Sequence, residues 1–192
     1  MDYFTSDKLI EPGRGDLLIS EPYLPDPNFE RTVILLCEHD ENGSFGFVIN
    51  KQSEVKIADA LEEIESFDAP LFIGGPVQKD SLHFIHRTPH LSEGGKKIVE
   101  NVFWGGDFDE LLFQINTKQV KESEIKFFLG YSGWSPGQLL DELEQRSWIV
   151  CKGVDADLIF DVPADQMWRT VLQRMGGKFK LIAGYPQDPR LN

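Results

Sequence analysis

Apolar residues along this chain gather in short runs, and polar stretches rich in glycine and proline separate them. The run at 32–38 is apolar and β-branched almost throughout, which predicts a strand buried on both faces. A hairpin-type turn at 40–44 and a returning strand at 45–50 make it half of a central antiparallel pair. Further short strands are predicted at 16–20, 71–73, 81–87, 98–103, 147–151 and 179–182. Three stretches follow a helical period instead. Residues 57–67 place Ile57, Leu61 and Ile64 opposite Glu62, Glu63 and Glu65. A helix capped by Asp107, with Glu110 three residues on, buries Phe108, Leu111, Leu112 and Ile115. A last one opens at Pro163, carries Met167, Trp168, Val171, Leu172 and Met175, and stops at Gly176 and Gly177. Three prolines, at 22, 25 and 27, forbid helix or central strand in that stretch and make a stiff loop that presents Asp26, Phe29 and Arg31.

The sharpest local signal lies at 130–143. An apolar strand at 125–129 meets Gly130 and Gly133, where it is expected to break, and a helix restarts with a full start signature. Ser135 reads as the N-cap, Pro136 as the first helical residue and Gln138 as the residue reaching back to the cap. This corner would set Tyr131 and Trp134 beside free N–H groups at the positive end of a helix, which suits an anion or a polar peptide. The competing reading makes Trp134 a core plug.

The irregular interleaving of strands and helices, with a hairpin near residue 42, predicts an α+β or mixed α/β fold in one compact domain over 1–185, followed by a flexible tail at 186–192. The 192 residues suit one core. With 32 acidic residues against 19 basic, a net charge of −13, the average surface repels nucleic acid and anionic membrane, so neither direct DNA binding nor a membrane role is expected. The chain opens without a basic segment leading into an apolar one, and both cysteines, Cys37 and Cys151, lie in apolar runs. Those features predict a cytoplasmic protein with reduced thiols.

Candidate chemistry is sparse. His83 and His86 are three apart on a strand and point to opposite faces, and Pro89 separates His86 from His90, so no metal or other cofactor is expected. Cys37 and His39, two apart, would share a face and form the raw material of a hydrolase or transferase. A thiol in an apolar strand, however, keeps a high pKa. Arg31 could pair with Asp26 or with an anionic ligand. Arg169, Arg174, Lys178 and Lys180 read as an ordinary solvated face.

Several motifs in order resemble the YqgE/AlgH proteins, an uncharacterised bacterial family also catalogued as UPF0301. Gly15 to Ser20 with Pro22, Asp26, Phe29 and Arg31 to Val33 is similar to its opening motif. Cys37-Glu38-His39 with Gly43, Gly46 and Asn50-Lys51 follows, then Gly74-Gly75-Pro76 with His86, then Gly130-Tyr131 through Trp134, Gly137 to Leu139 and Glu142. Trp148 and the Trp168 helix ending at Gly176 fit the close. The resemblance implies a mixed, partly antiparallel, barrel-like sheet flanked by helices, in the cytoplasm, with no established activity or cofactor and a transcriptional-regulator label in some members. The expectation drawn from all this is a non-enzymatic binding or regulatory protein. Its cleft would lie between the proline-rich loop, the 38–50 hairpin and the Gly130 corner, carry Asp26, Arg31, His39, Asn50, Tyr131, Trp134 and Gln138, and take a protein or a small anionic ligand.

Overall fold

Strand β9, Ile125–Trp134, is the axis of the fold. In this computed structural model, which describes residues 9–88, 91 and 93–186, two strands share one flank of β9. β3 (Gly43–Val48) pairs antiparallel with its C-terminal end, Ser44 opposite Trp134 and Gly46 opposite Ser132. β5 (Pro70–Ile73) pairs parallel with its N-terminal half, Leu71 opposite Phe127 and Ile73 opposite Leu129. β6 (Val77–His86) lies along the other flank, from Val77 opposite Tyr131 to His86 opposite Ile125.

The expected break at the two glycines does not occur, because partners on both flanks hold the backbone of β9 through them. Gly130 instead bends the strand with a φ of 67°. Here the link from β5 into β6 passes β9 so closely that a β-carbon on Gly130 would lie 2.7 Å from the Gly75 carbonyl oxygen and 2.8 Å from that of Val77. Only glycine meets both conditions without strain.

From β3 the sheet continues through β2 (Val33–Asp40) and β1 (Leu17–Ser20) to β10 (Trp148–Cys151). From β6 it continues through β8 (Val102–Trp104) to β7 (Lys96–Val99). β4 (Gln52–Lys56) pairs with β5. The sheet is mixed and open, with β10 and β7 at the ends of its path, so the barrel-like expectation resolves into an unclosed sheet.

Helices cover both faces. Leu17, Ile19, Val33 and Leu35 on one face pack with α4 (Ala156–Phe160), α5 (Ala164–Met175) and α6 (Gly177–Ala183). Leu18, Ile34, Leu36 and Val48 on the other pack with α3 (Gln138–Glu144). Leu71, Phe84, Ile125 and Phe127 meet α1 (Ile57–Ala60) and α2 (Phe108–Asn116). β1 and β10 are therefore buried at every position, as β2 is over its first five.

Several elements depart from the sequence reading. Residues 179–182 are helical within α6, where Phe179, Ile182 and Ala183 follow the helical period that a four-residue window cannot separate from a strand. Residues 156–160, for which the hydrophobic pattern predicts no helix, form α4, started by the Asp155 carboxylate accepting from the Leu158 N–H. The helix expected over 57–67 stops after one turn. The Asn116 side chain accepts from the Glu65 N–H and donates to the Glu63 carbonyl, replacing helical partners. The single strand expected at 98–103 is the β7–β8 hairpin, turned at Asn101 with a φ of 60°. His90 and residues 187–192 of the expected tail lie outside the described residues.

Candidate functional site

A cleft of about 850 Å³ opens where β2, β3, β9 and β6 present their ends. Phe45 of β3 stands opposite Gly133 of β9, which offers no side chain, and the space admits three more rings. Trp104, last residue of β8, meets Phe45 edge to face at 4.7 Å. Tyr131 meets Phe45 at 6.0 Å, and His83 in turn meets Tyr131 edge to face at 5.9 Å. Beneath them Phe47 stacks on Phe128 at 4.7 Å, a fixed floor. Glu38, Asp40, Ser44 and Ser135 supply the polar lining, and Glu38 is paired with Lys96. The His83 ring is held by a hydrogen bond between its Nε2 and the Ser81 hydroxyl (2.9 Å), and burial pushes its pKa below the ordinary value.

A bulge in β2 decides which residues face this cleft. The register with β3 shifts between Leu36 and Glu38, so Glu38 pairs with Phe45 and His39 with Ser44. Cross-strand partners share a face. Glu38 therefore joins Cys37 and Phe45 on one side, while His39 turns to the side of Trp134 and bonds the Ser44 hydroxyl through Nδ1 at 2.6 Å. The bulge cancels the alternation that would have put Cys37 and His39 on one face. The Cys37 thiol is 1% exposed and its pKa is driven upward by burial, so it has neither base nor access.

The expected corner is a self-contained polar network. Ser135, Pro136, Gly137 and Gln138 form a turn closed by the Gln138 N–H on the Ser135 carbonyl, with Gly137 at a φ of 81° in the third place, the signature of a type II turn. The helix accordingly starts at Gln138, not at Pro136. Gln138 does reach back, accepting from the Ser135 N–H at 3.0 Å. Its amide donates to Glu142 Oε1 at 3.0 Å, and Glu142 Oε2 accepts from the indole N–H of both Trp134 (2.8 Å) and Trp148 (2.7 Å). A carboxylate already fills the place expected for an anion.

The seven expected site residues divide. Tyr131 lines the cleft; Trp134 borders it, but its indole belongs to the opposite layer, edge to face with Trp148 at 6.0 Å. His39 lines a smaller hollow beside Gly137 and Leu139, and Gln138 is consumed by the turn. Asp26, Arg31 and Asn50 lie at the other end of the β2–β3 pair. Asp26 accepts from the Asn28 backbone and side chain, and does not pair with Arg31. Asn50 accepts from the Val33 N–H and donates to the Arg31 carbonyl. The fold thus brings together Glu38, Phe45, His83, Trp104 and Tyr131, of which the sequence reading placed only Tyr131 in a site. The signal in the sequence was thin: Gly133 opposite an aromatic strand is visible only once the register is known.

The AlgH-like family profile matches residues 17–180. The chain belongs to the AlgH-like family. Among its relatives, the UPF0301 protein CT0663 of Chlorobaculum tepidum is 40% identical over 185 residues, covering 96% of this chain and 97% of that one. A UPF0301 protein of Cytophaga hutchinsonii is 45% identical over 180 residues, covering 93% and 98%. The solution structure of the AlgH protein from Pseudomonas aeruginosa is similar with a TM-score of 0.69 at 31% identity, over 94% of this chain and 98% of that one. The crystal structure of DIP2367 from Corynebacterium diphtheriae shares the fold, with a TM-score of 0.76 at 23% identity over 95% and 97%. Among the described residues of this AlgH-like chain, no helix is long and apolar enough to cross a membrane.

Proposed function

We propose that this AlgH-like protein is a non-enzymatic binding protein of the cytoplasm that captures a cationic group, such as a basic or alkylated side chain of a partner protein, in the aromatic cleft. One observation carries the reading: Phe45, Trp104, Tyr131 and His83 converge around an open space whose charged lining is Asp40 and the Glu38 carboxylate that already holds one cation, Lys96. Ring faces and carboxylates together favour a weakly hydrated cation over the anion expected from sequence. Both cysteines are free thiols, in keeping with a reducing compartment. A regulatory role of the kind named for some family members would then run through partner recognition, and an acidic chain is suited to that more than to duplex binding.

The test is a titration with tetramethylammonium chloride against sodium chloride at equal ionic strength, read by the Trp104 contribution to fluorescence. A saturable change confined to the ammonium salt, and lost in Trp104→Leu, is expected. Identical responses to the two salts would remove the cleft as a cation site.

A further inference from the structure

The other end of the β2–β3 pair holds a second cavity, of about 570 Å³, between Arg31 and Asn50 on one side and α5 from Ala164 to Gln173 on the other. Arg31 enters it in an unusual state. Its backbone is left-handed, with a φ of 46°, and the Asn50 side chain holds its carbonyl. Its guanidinium lies over the Trp168 ring at 4.7 Å, and Nη2 donates to the carbonyls of Tyr185 (2.8 Å) and Pro186 (2.7 Å). Carbonyls orient a guanidinium but carry no full charge, and only the neighbouring Glu30 and Tyr23 act in its favour. Nε is buried and without a partner, an expensive omission for a charged donor.

Arg169 of α5 lines the same space. Among the described residues it makes no hydrogen bond or ion pair. The two cations oppose each other: burial and the Arg169 charge both depress the Arg31 pKa. Asp165 is the single carboxylate among the lining residues, and Gln166, Thr170 and Gln173 add neutral hydrogen-bonding groups. On a chain with a net charge of −13, two like charges kept side by side around a polar hollow are costly unless an anion completes them.

We infer that the cavity between Arg31 and Arg169 is a binding site for a small phosphate-bearing anion, separate from the aromatic cleft. Arg31, fixed by Trp168 and two carbonyls, holds one guanidinium charge at the lining of the cavity, and Arg169 supplies the second. Guanidinium groups match phosphate oxygens with paired donors, and two guanidinium charges balance the double charge of a phosphate better than the single charge of a carboxylate. The volume admits a metabolite-sized ester and not a polymer, and the neutral amides and hydroxyl of the lining suit its remaining oxygens.

The experiment is a titration of the ¹⁵N-labelled full chain with inorganic phosphate at an ionic strength held constant with sodium chloride. The reporters are the Arg31 Nε–H signal and the Trp168 indole signal. Both should move along one saturating curve in the millimolar range. Arg169→Gln, a change at an exposed position, should weaken that curve roughly tenfold, the loss of one charged partner to the anion. Signals that stay still, that drift linearly, or that move equally in Arg169→Gln would overturn the assignment.

Discussion

At the scale of single residues, the chain shows how a polar side chain placed in a motif can be spent on structure. Glu142 collects three donors, two of them indole N–H groups of tryptophans in the core between α3 and the sheet. Truncating it leaves both indoles without an acceptor in a desolvated layer. Glu142→Ala should therefore cost about 2–4 kcal/mol in urea unfolding, with the indole N–H signals of Trp134 and Trp148 displaced together. Glu142→Gln, which keeps an oxygen, should recover part of that loss; equal losses in the two variants would mean the carboxylate contributes by packing alone. Lys126 is the converse case. It is 9% exposed beside β6 and lies over the Phe72 ring at 4.4 Å, and burial brings its pKa down to about 8. Its charge is tolerated more than used.

At the scale of elements, the bend in β9 is where the two halves of the sheet are joined, and glycine is the reason they can meet. Gly130 combines a positive φ with carbonyls closing on the place of its missing β-carbon, whereas Gly137, at a φ of 81°, has nothing within 4 Å. The two positions separate strain from collision. Gly137→Ala should cost only the left-handed penalty, about 1–2 kcal/mol. Gly130→Ala adds a backbone clash that neither β5 nor β6 can relieve without losing pairing, and should cost several kcal/mol or prevent folding. Denaturant midpoints of the two variants decide it, and similar midpoints would show that the crossing can relax. The bulge in β2 acts at the same scale. By moving one residue out of register it hands Glu38 to the aromatic cleft and His39 to the opposite hollow.

At the scale of the whole molecule, pH couples to folding through two imidazoles on β6, His86 buried and His83 half-buried at the cleft. His83 and His86 both have pKa values below the ordinary 6.5, in each case mainly because burial disfavours the charged ring, with the backbone at Gly105 and Thr88 partly offsetting this for His86. The unfolded chain then binds protons more readily than the folded one as pH falls through 6.5, so stability declines on that side. Asp155 and Asp161, held down by Arg174 and Arg87, act in a separate window below 3.8. The urea midpoint should fall between pH 7.5 and 5.5, even though the net charge of −13 is being relieved, and the fall should flatten in a His83→Gln, His86→Gln double variant. An unchanged slope in that variant would assign the effect to other groups. What the sequence by itself determined was local. The central hairpin, the Asp107 cap, the stop at Gly176 and the buried character of Cys37 depend on neighbours in the chain, and periodicity and capping chemistry report those directly. The reach of Gln138 back to Ser135 was legible for the same reason, although a type II turn, not a helical cap, uses it. The tertiary structure alone decided what depends on register and on crossing strands. It continued β9 through Gly130, turned residues 177–183 into a helix by packing, and set Trp104 and His83 around Phe45. It also separated Arg31 from His39 by the length of β2, roughly 25 Å at strand rise, so that residues read as one cleft stand at two ends. A one-residue bulge reverses every face beyond it, and no local pattern in the sequence announces which residue will be left unpaired.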